Sequence, residues 1–185
     1  IEAISDANIT APIDSAARSI SLTPAGGSKT VTVAAIIAMN KISTATTAFI
    51  AGASTVTAGL GDVVIHAEDT SLIDAVVHSS ALSVAAGVKD GTAISVSFAA
   101  ARNEIRNDVE AAFQNAGSAA APVRVTGDVI VTAKKSATIN ADIKATAIAV
   151  AVSGKGGLAV SGGGAIAFNT ILGKNNAFIA NSVVE

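Results

Sequence analysis

One phrase recurs along this chain, and its recurrence constrains the fold more than any other feature of the sequence. Residues 127–140 read GDVIVTAKKSATIN, residues 61–74 read GDVVIHAEDTSLID, and residues 1–10, IEAISDANIT, are a diverged version of the same phrase. Placing Ala3 over Ala67 and Ala133 aligns all three, at offsets of 64 (67 − 3) and 66 (133 − 67). A match kept at a fixed period indicates a tandem repeat.

The same register continues far beyond the first phrase. The element Asn-x-Ile occurs three times at offsets of 63 and 66 (103 − 40 and 169 − 103), with an alanine before it and an alanine after it in every copy. The copies therefore span approximately residues 1–60, 61–126 and 127–185. The positions that we expect to be structurally equivalent are Asn40, Asn103 and Asn169; Ile42, Ile105 and Ile171; Gly61 and Gly127; and Asp62 and Asp128.

Alternation of residue types predicts that each copy is a series of β-strands. Val63, Ile65 and Ala67 alternate with Val64, His66 and Glu68, and a period of two is typical of a strand that follows a Gly-Asp turn. The competing interpretation is a helix over the Ala-rich residues 108–115. Thr and Asn, which are poor helix formers, stand in the same columns of the other copies and favour a strand.

Later strands in each copy have one bulky face and one small, flat face. Leu82 and Val84 alternate with Ser83 and Ala85, and copies one and three repeat this division. Short strands in stacked copies predict an all-β, parallel β-solenoid, in which coils cover each other's apolar faces. We expect the bulky face to be buried, and about 20 to 30 residues per coil, so that each copy makes two or three turns.

Composition excludes several classes of protein. Hydrophobic residues make up 50% of the chain and charged residues 14%, and the net charge of −2 gives no basic surface for nucleic acid. Cysteine, Trp and Tyr are absent, and the uncharged run of residues 145–154 is too short to cross a bilayer. We therefore expect neither a nucleic-acid partner nor membrane insertion.

The repeated phrase, the Ala/Ser/Gly-rich strands and the Asn-x-Ile element resemble those of very large repetitive bacterial surface and secreted proteins. These are adhesin-like β-solenoids in the style of filamentous haemagglutinin, and the resemblance covers essentially the whole chain. It implies a right-handed parallel β-helix, export to the cell surface, and a role in adhesion or extracellular structure. It implies no catalytic residues.

Each candidate for chemistry has a plainer structural interpretation. His66 and His78 do not recur in the other copies, so outward strand positions are favoured over a metal site. Residues 154–157, GKGG, lack the spacing of a phosphate-binding loop and match turns that carry Lys29 and Lys89 in the other copies. The calcium nonapeptide of β-roll toxins is missing. We expect no catalytic residues, cofactor or metal.

The Asn column is the most informative polar feature. Amides stacked in neighbouring layers can form a hydrogen-bonded ladder along the axis. If a copy spans several coils, each Asn must instead bond to the local backbone at a bend. Both possibilities give the column a structural role.

These observations favour a structural, non-catalytic segment of an extracellular or cell-surface fibre, filament or adhesin stalk, cut from a longer chain. The alternative is a ligand-binding face for ice or for cell-surface glycans, because threonine rows can order water or sugars. Threonines crowd the first copy but mostly do not recur, which weakens this alternative. They are Thr30, Thr32, Thr44, Thr46, Thr47, Thr55 and Thr57.

Self-association is the expected partnership. Neither end of the chain carries an evident polar cap, which predicts stacking end to end. Strict alternation from Ile50, Phe113 and Ile179 places Phe49 and Phe178 outward, together with small residues of the Ala/Ser/Gly face. We expect this flat face to pack laterally against another copy of the protein.

Overall fold

The structure is a computed structural model that describes residues 1–54, 56–58 and 61–185, and its secondary structure is parallel β-strand. The first copy contains β1 (Glu2–Ser5), β2 (Asn8–Thr23), β3 (Ser28–Ala51) and β4 (Thr57–Ala58). The second contains β5 (Val63–Asp69), β6 (Leu72–Gly87), β7 (Gly91–Gln114) and β8 (Arg124–Val125). The third contains β9 (Val129–Lys135), β10 (Thr138–Ser153), β11 (Gly157–Leu172) and β12 (Asn175–Ala180).

Strand β7 runs through Gln114, so residues 108–114 are extended and the competing helical interpretation is wrong. Within the described ranges, no helix is long and apolar enough to span a bilayer.

Strands of one copy stack in parallel on the corresponding strands of the next. The sheets have the orders β1-β5-β9, β2-β6-β10 and β4-β8, and a fourth sheet places β7 between β3 on one side and β11 and β12 on the other. Ala3 pairs with Ala67, which pairs with Ala133, so residues aligned in the sequence are hydrogen-bonded neighbours in space. The fold is a parallel β-solenoid, as the sequence predicted.

Each coil of the solenoid is formed by one entire copy of the sequence repeat. The expectation of 20 to 30 residues per coil is therefore wrong. Ile9 pairs with Ile73, and Asn40 with Asn103, which are separated by an entire copy. Among the described residues, every pairing between named strands joins two different copies. The physical reason is strand length: β3 and β7 run unbroken for 24 residues each, where short strands were expected.

Each coil is flattened into two facing layers. Strand β2 forms one layer, the chain turns at residues 24–27, and β3 runs back in the facing layer. Strands β6 and β7, and β10 and β11, are arranged in the same way. Side chains meet across the gap: the Ser83 hydroxyl donates to Thr32 Oγ1 at 2.7 Å, and the Ser97 hydroxyl donates to the Ser79 carbonyl at 2.9 Å. The sheet β1-β5-β9 covers the remaining length of β3, β7 and β12.

The half of the coil nearest this turn, which we call the thin half, has a small-residue interior. It comprises residues 15–38, 79–101 and 145–167. Ala81, Ser83 and Ala85 are buried there, while the neighbouring Leu82 and Val84 lie on the outer side. The expectation that the bulky face is buried is therefore wrong in this half, and the Ala/Ser/Gly face is interior instead of a lateral contact surface.

Close backbone approach helps to explain why the interior of the thin half consists mostly of small side chains, with Thr30 and Thr32 among them and Ile36 at its border with the wide half. A Cβ added at Gly163 would lie 2.9 Å from the Ala145 carbonyl oxygen of the facing strand, and one at Gly157 would lie 2.9 Å from that of Ala151. Such distances are well below van der Waals contact between a carbon and an oxygen atom. The facing sheets are too close here for a valine or leucine to lie between them.

The rest of the coil, the wide half, has a conventional apolar core. Phe113, Ile65, Ile73 and Ile105 are fully buried in it. They form two clusters whose layers continue above and below through half-buried residues of the outer coils, such as Ile50, Ile9 and Ile139. The two halves are thus packed by different kinds of side chain.

A turn with left-handed backbone closes the long strand in each coil. Gly52, Asn115 and Asn181 follow β3, β7 and β12, with φ of 66°, 51° and 48°. Gly and Asn tolerate this conformation better than other residues do. Sequence reasoning missed this column, although the Gly/Asn/Asn recurrence was a usable signal.

Candidate functional site

The Asn column forms a continuous ladder through all three layers. The Asn40 side-chain amide donates to Asn103 Oδ1 at 2.8 Å, and the Asn103 amide donates to Asn169 Oδ1 at 2.8 Å. Asn103 is fully buried, so these bonds satisfy an amide that would otherwise be costly to remove from water. Of the two arrangements left open by the sequence, the ladder is the one present.

The isoleucine column follows the ladder at a spacing of two residues. Ile42 pairs with Ile105, which pairs with Ile171, and Ile105 is fully buried beside Ile73. In the two outer layers, Ile42 is buried and Ile171 is about half exposed. The repeated Asn-x-Ile element therefore supplies one polar and one apolar column of the interior.

A buried carboxylate, Asp69, lies at the junction of β5 and β6. Its oxygens accept hydrogen bonds from Thr44 Oγ1 and Ser71 Oγ at 2.7 Å each, and from the Asn107 side-chain amide. Burial acts to raise the pKa of Asp69, but the donors Ser71, Thr44, Ser5 and Asn107 outweigh it and hold that pKa below its ordinary value. The cluster stabilises an anion inside the protein by neutral donors.

Only a weak signal for this cluster is present in the sequence. A strand places adjacent residues on opposite faces, and Glu68 accordingly points outward to Lys134 while Asp69 is buried. The Asp69 column reads Ser5, Asp69 and Lys135, so the repeat itself did not mark the position. Asn107 and Thr44, from the facing strands, become its partners only in the folded coil.

The Gly-Asp turn joins neighbouring layers instead of capping itself. Asp62 Oδ1 accepts a hydrogen bond from the Asp128 backbone N–H at 2.8 Å, one layer further on. A side chain at Gly127 would collide with the Asp62 carboxylate, which explains the glycine there. Asp108 Oδ1 likewise accepts from the Lys174 backbone N–H at 3.0 Å. Gly61 and Gly127 with their aspartates thus belong to the contacts between coils.

Ion pairs between coils lie on the outside of the wide half. Lys134 Nζ is 2.6 Å from Glu68 Oε1, and Lys41 Nζ is 2.9 Å from Glu104 Oε1. The hydrogen bond from Lys134, followed by that from His66, lowers the pKa of Glu68, and the hydrogen bond from Lys41 lowers the pKa of Glu104. Exposed pairs of this kind contribute little stability individually.

Both histidines lie on the outer side of their strands, next to carboxylates. His66 Nε2 is 3.3 Å from Glu68 Oε2, and His78 Nδ1 is 3.3 Å from Asp14 Oδ1. The hydrogen bond from Lys144 is the main cause that lowers the pKa of Asp142, which is 3.5 Å from His78 Nε2. In the part of the chain that the structure describes, no three residues of the types His, Cys, Asp and Glu converge on a metal position.

The GKGG segment is a turn between β10 and β11. The Lys155 backbone N–H donates to the Lys89 carbonyl at 3.2 Å, so the turn stacks on its counterpart in the preceding coil. An open recess of about 550 Å³ lies beside these turns, and Leu22, Val88 and Val152 line its apolar wall. The segment is part of the stacked scaffold.

Of the five threonines named above whose side chains the structure describes, only Thr47 is exposed. Thr30, Thr32 and Thr46 are buried, and Thr44 donates to Asp69. Thr55 lies outside the described residues. These four interior positions contradict the idea of an ice- or sugar-binding threonine row that includes them.

Phe49 lies on the outer side of β3, as alternation predicted, whereas Phe178 is half-buried in β12, where Ile179 is 50% exposed. Phe113, in the inward column between Ile50 and Ile179, is fully buried, whereas Phe49 is 54% exposed. Ala112 pairs with both Phe49 and Phe178 and is itself fully buried, which the size of these flanking side chains explains. Their role in lateral contact stays a prediction.

No family model, no curated protein and no solved structure matches this chain.

Proposed function

We propose that this chain is a structural, non-catalytic segment of an extracellular or cell-surface fibre, filament or adhesin stalk. In this role its useful properties are rigid stacking and association with further coils, through the sheet ends and laterally. Adhesion to glycans, where it occurs, belongs to other parts of such a fibre.

The observation that supports this proposal is that polar and charged side chains repeatedly find their partners one layer away. The Asn ladder, the bond from the Asp128 amide to Asp62 and the Lys134–Glu68 pair all join adjacent coils. In a solenoid, stability is approximately a sum of intrinsic coil terms and nearest-neighbour terms, so the same contacts can be repeated without limit. Such an arrangement suits a segment whose function is to extend a fibre.

The dimensions follow from strand geometry. The 24 residues of β7 extend about 80 Å across the coil, while each added coil lengthens the axis by only about 4.8 Å. A fibre built in this way is a broad ribbon that grows perpendicular to its strands. Its length therefore reports the number of coils.

An insertion series tests the repeat directly. Residues 61–126 are inserted once or twice more after residue 126, so that each new copy again meets a Gly-Asp turn. We expect small-angle X-ray scattering to show an axial dimension that rises by about 4.8 Å per insertion at constant cross-section. Unfolded insertion variants would contradict the proposal, and so would a parent protein that appears by electron microscopy as a compact globular particle.

A further inference from the structure

We propose that the outer side of the β3-β7-β11 sheet in the thin half packs face to face against the same surface of a second copy of this chain. We call this surface the β7 face; it consists of the outward side chains of residues 29–39, 92–102 and 158–168. The inference rests on the proposed function, because it specifies how coils associate laterally. The β7 face takes the place of the Ala/Ser/Gly face as the predicted lateral contact surface, because the Ala/Ser/Gly face is interior.

The β7 face exposes large apolar side chains in all three layers. Met39 is 78% exposed, Ile37 72%, Val33 64% and Phe168 63%. Ala35 and Gly164 flank Phe98, whose ring lies 3.5 Å from the position of a Cβ at Gly164. The other large apolar residues of this face are Val31, Ile94, Val96, Leu158, Val160 and Ile166. Soluble monomers rarely expose a continuous patch of this kind.

These side chains cannot be buried within their own coil. A shift of one residue in register would turn them inward, but it would break the Asn ladder. In one direction it would also place Leu158 at the position of Gly157, where a Cβ would already lie 2.9 Å from the Ala151 carbonyl oxygen. Burial of the β7 face therefore requires another molecule.

A second copy fits the face because of its periodicity. The apolar columns repeat at the spacing of the layers, about 4.8 Å, and face-to-face sheets interdigitate their side chains about 10 Å apart. A partner that matches such a surface over all its layers must have the same spacing. A second copy of this chain has that spacing because its coils are stacked in the same way.

The area supports a weak but specific dimer. Three strands at about 4.8 Å and eleven residues at about 3.3 Å give about 500 Å² per copy, or about 1,000 Å² in total. This value lies at the lower limit for specific interfaces, and each further coil adds to it. The corresponding outer side of β2-β6-β10 is shorter in its apolar part and includes Arg18 in its first layer.

Charge placement favours protein over lipid as the occupant. Arg102 lies in the last column of the β7 face, and its side chain is 67% exposed within 3.5 Å of Glu104. At the edge of a protein interface this guanidinium can remain in water, whereas immersion of the face in hydrocarbon would bury a charge. A lipid bilayer is therefore an alternative outcome of the test.

Two matched double variants test the proposal. Val33→Lys with Ile37→Lys changes residues of the β7 face that are 64% and 72% exposed, and the control, Ile20→Lys with Leu22→Lys, changes residues that are 64% and 71% exposed on the opposite side. Sedimentation equilibrium should show a monomer–dimer equilibrium for the wild type and for the control. It should show dimerisation weakened roughly 100-fold in the β7-face variant, because like charges then oppose each other across the two-fold axis.

Circular dichroism should be unchanged in both variants, since the replaced side chains lie outside the coil. Three results would overturn the inference. The wild type could stay monomeric, the control could lose dimerisation as fully as the β7-face variant, or the wild type could float with phosphatidylcholine vesicles. Open-ended polymers formed to the same extent by the wild type and the β7-face variant would also overturn it, because heterologous end stacking, which unlike a two-fold contact does not close, would then account for all of the association. That last outcome would leave the proposed fibre role intact, whereas a globular parent protein would contradict the role even if the dimer forms.

Discussion

The thin half and the wide half of each coil bury different kinds of side chain and expose different kinds. In the wide half, Phe113 and Ile105 fill the interior and charged residues such as Glu68 and Glu104 lie outside. In the thin half, Ser83 and Ala85 fill the interior and residues such as Leu22 and Ile37 lie outside. Polarity alone therefore does not decide which face of a strand is buried; the distance between the sheets does.

The contrast also separates two sources of stability. The wide half is stabilised by the burial of large apolar side chains. The thin half gains less from apolar burial and depends on hydrogen bonds that cross between its sheets, such as Ser83 to Thr32 and Ser97 to Ser79. Enlarging an interior side chain should therefore lower the free energy of unfolding most in the thin half. Introducing an interior charge should lower it most in the wide half.

The largest effect is expected for Ile105→Asp in the wide half. Ile105 is fully buried in an apolar cluster, so the variant places an unpaired carboxylate in the core, and the free energy of unfolding should fall by about 4 kcal/mol or more. Urea unfolding followed by circular dichroism measures the loss. The control Val64→Asp, at an outer position that is 44% exposed, should unfold close to the wild type. An Ile105→Asp protein as stable as the wild type would show that the column is accessible to water.

The next effect is expected for Ser83→Leu in the thin half. The added side chain has no space between the close sheets and removes the hydroxyl that bonds to Thr32, so we expect a loss of about 3 kcal/mol. Leu82→Ser, the neighbouring change on the outer side, is the control and should cost less than about 1 kcal/mol. If the order of the two variants were reversed, the assignment of inner and outer faces would be wrong.

Asp69→Asn tests the polar cluster that lies between the two apolar clusters of the wide half. The folded-state pKa of Asp69 is lowered, so its stabilising effect is present above its ordinary pKa, near 3.8, and is lost as pH falls through the lower folded value. We expect the variant to lose about 2 kcal/mol at neutral pH, because hydrogen bonds to a charged acceptor are replaced by neutral ones. Stability measured between pH 6 and pH 2 should fall less steeply in the variant. An unchanged acid dependence would contradict the proposed role of this carboxylate.

The smallest effects are expected in the Asn ladder. Asn103→Ala removes both interlayer bonds and should cost about 2 kcal/mol, whereas Asn169→Ala removes one of them and should cost about 1 kcal/mol. Thermal unfolding of both variants measures this ratio. Equal losses would indicate that the amides act through local backbone contacts and not through the ladder.

Much of the fold was predictable from the repeat. Because identical or similar residues at Ala67, Ile73 and Asn103 recur in every copy, the alignment of the copies is also the pairing register of the strands. Alternation at Val63 to Ala67 correctly separated the two sides of β5. The Asp69 cluster was not predictable, because its donors Thr44 and Asn107 come from strands that meet it only after the coil closes.

The sequence by itself determined the β-strand class, the register between copies and the division of each strand into two faces, because all three depend on local alternation and on a fixed period. The tertiary structure alone decided how many residues close a coil and which face is interior. Both depend on where the chain turns at residues 24–27 and on how closely β2 and β3 then approach, as the contacts at Gly157 and Gly163 show for the equivalent strands of the third coil. A Cβ has no room at Gly157 or Gly163, and elsewhere the interior of the thin half holds mainly Ala and Ser together with Thr30 and Thr32, so most of the larger apolar residues are left on the outside.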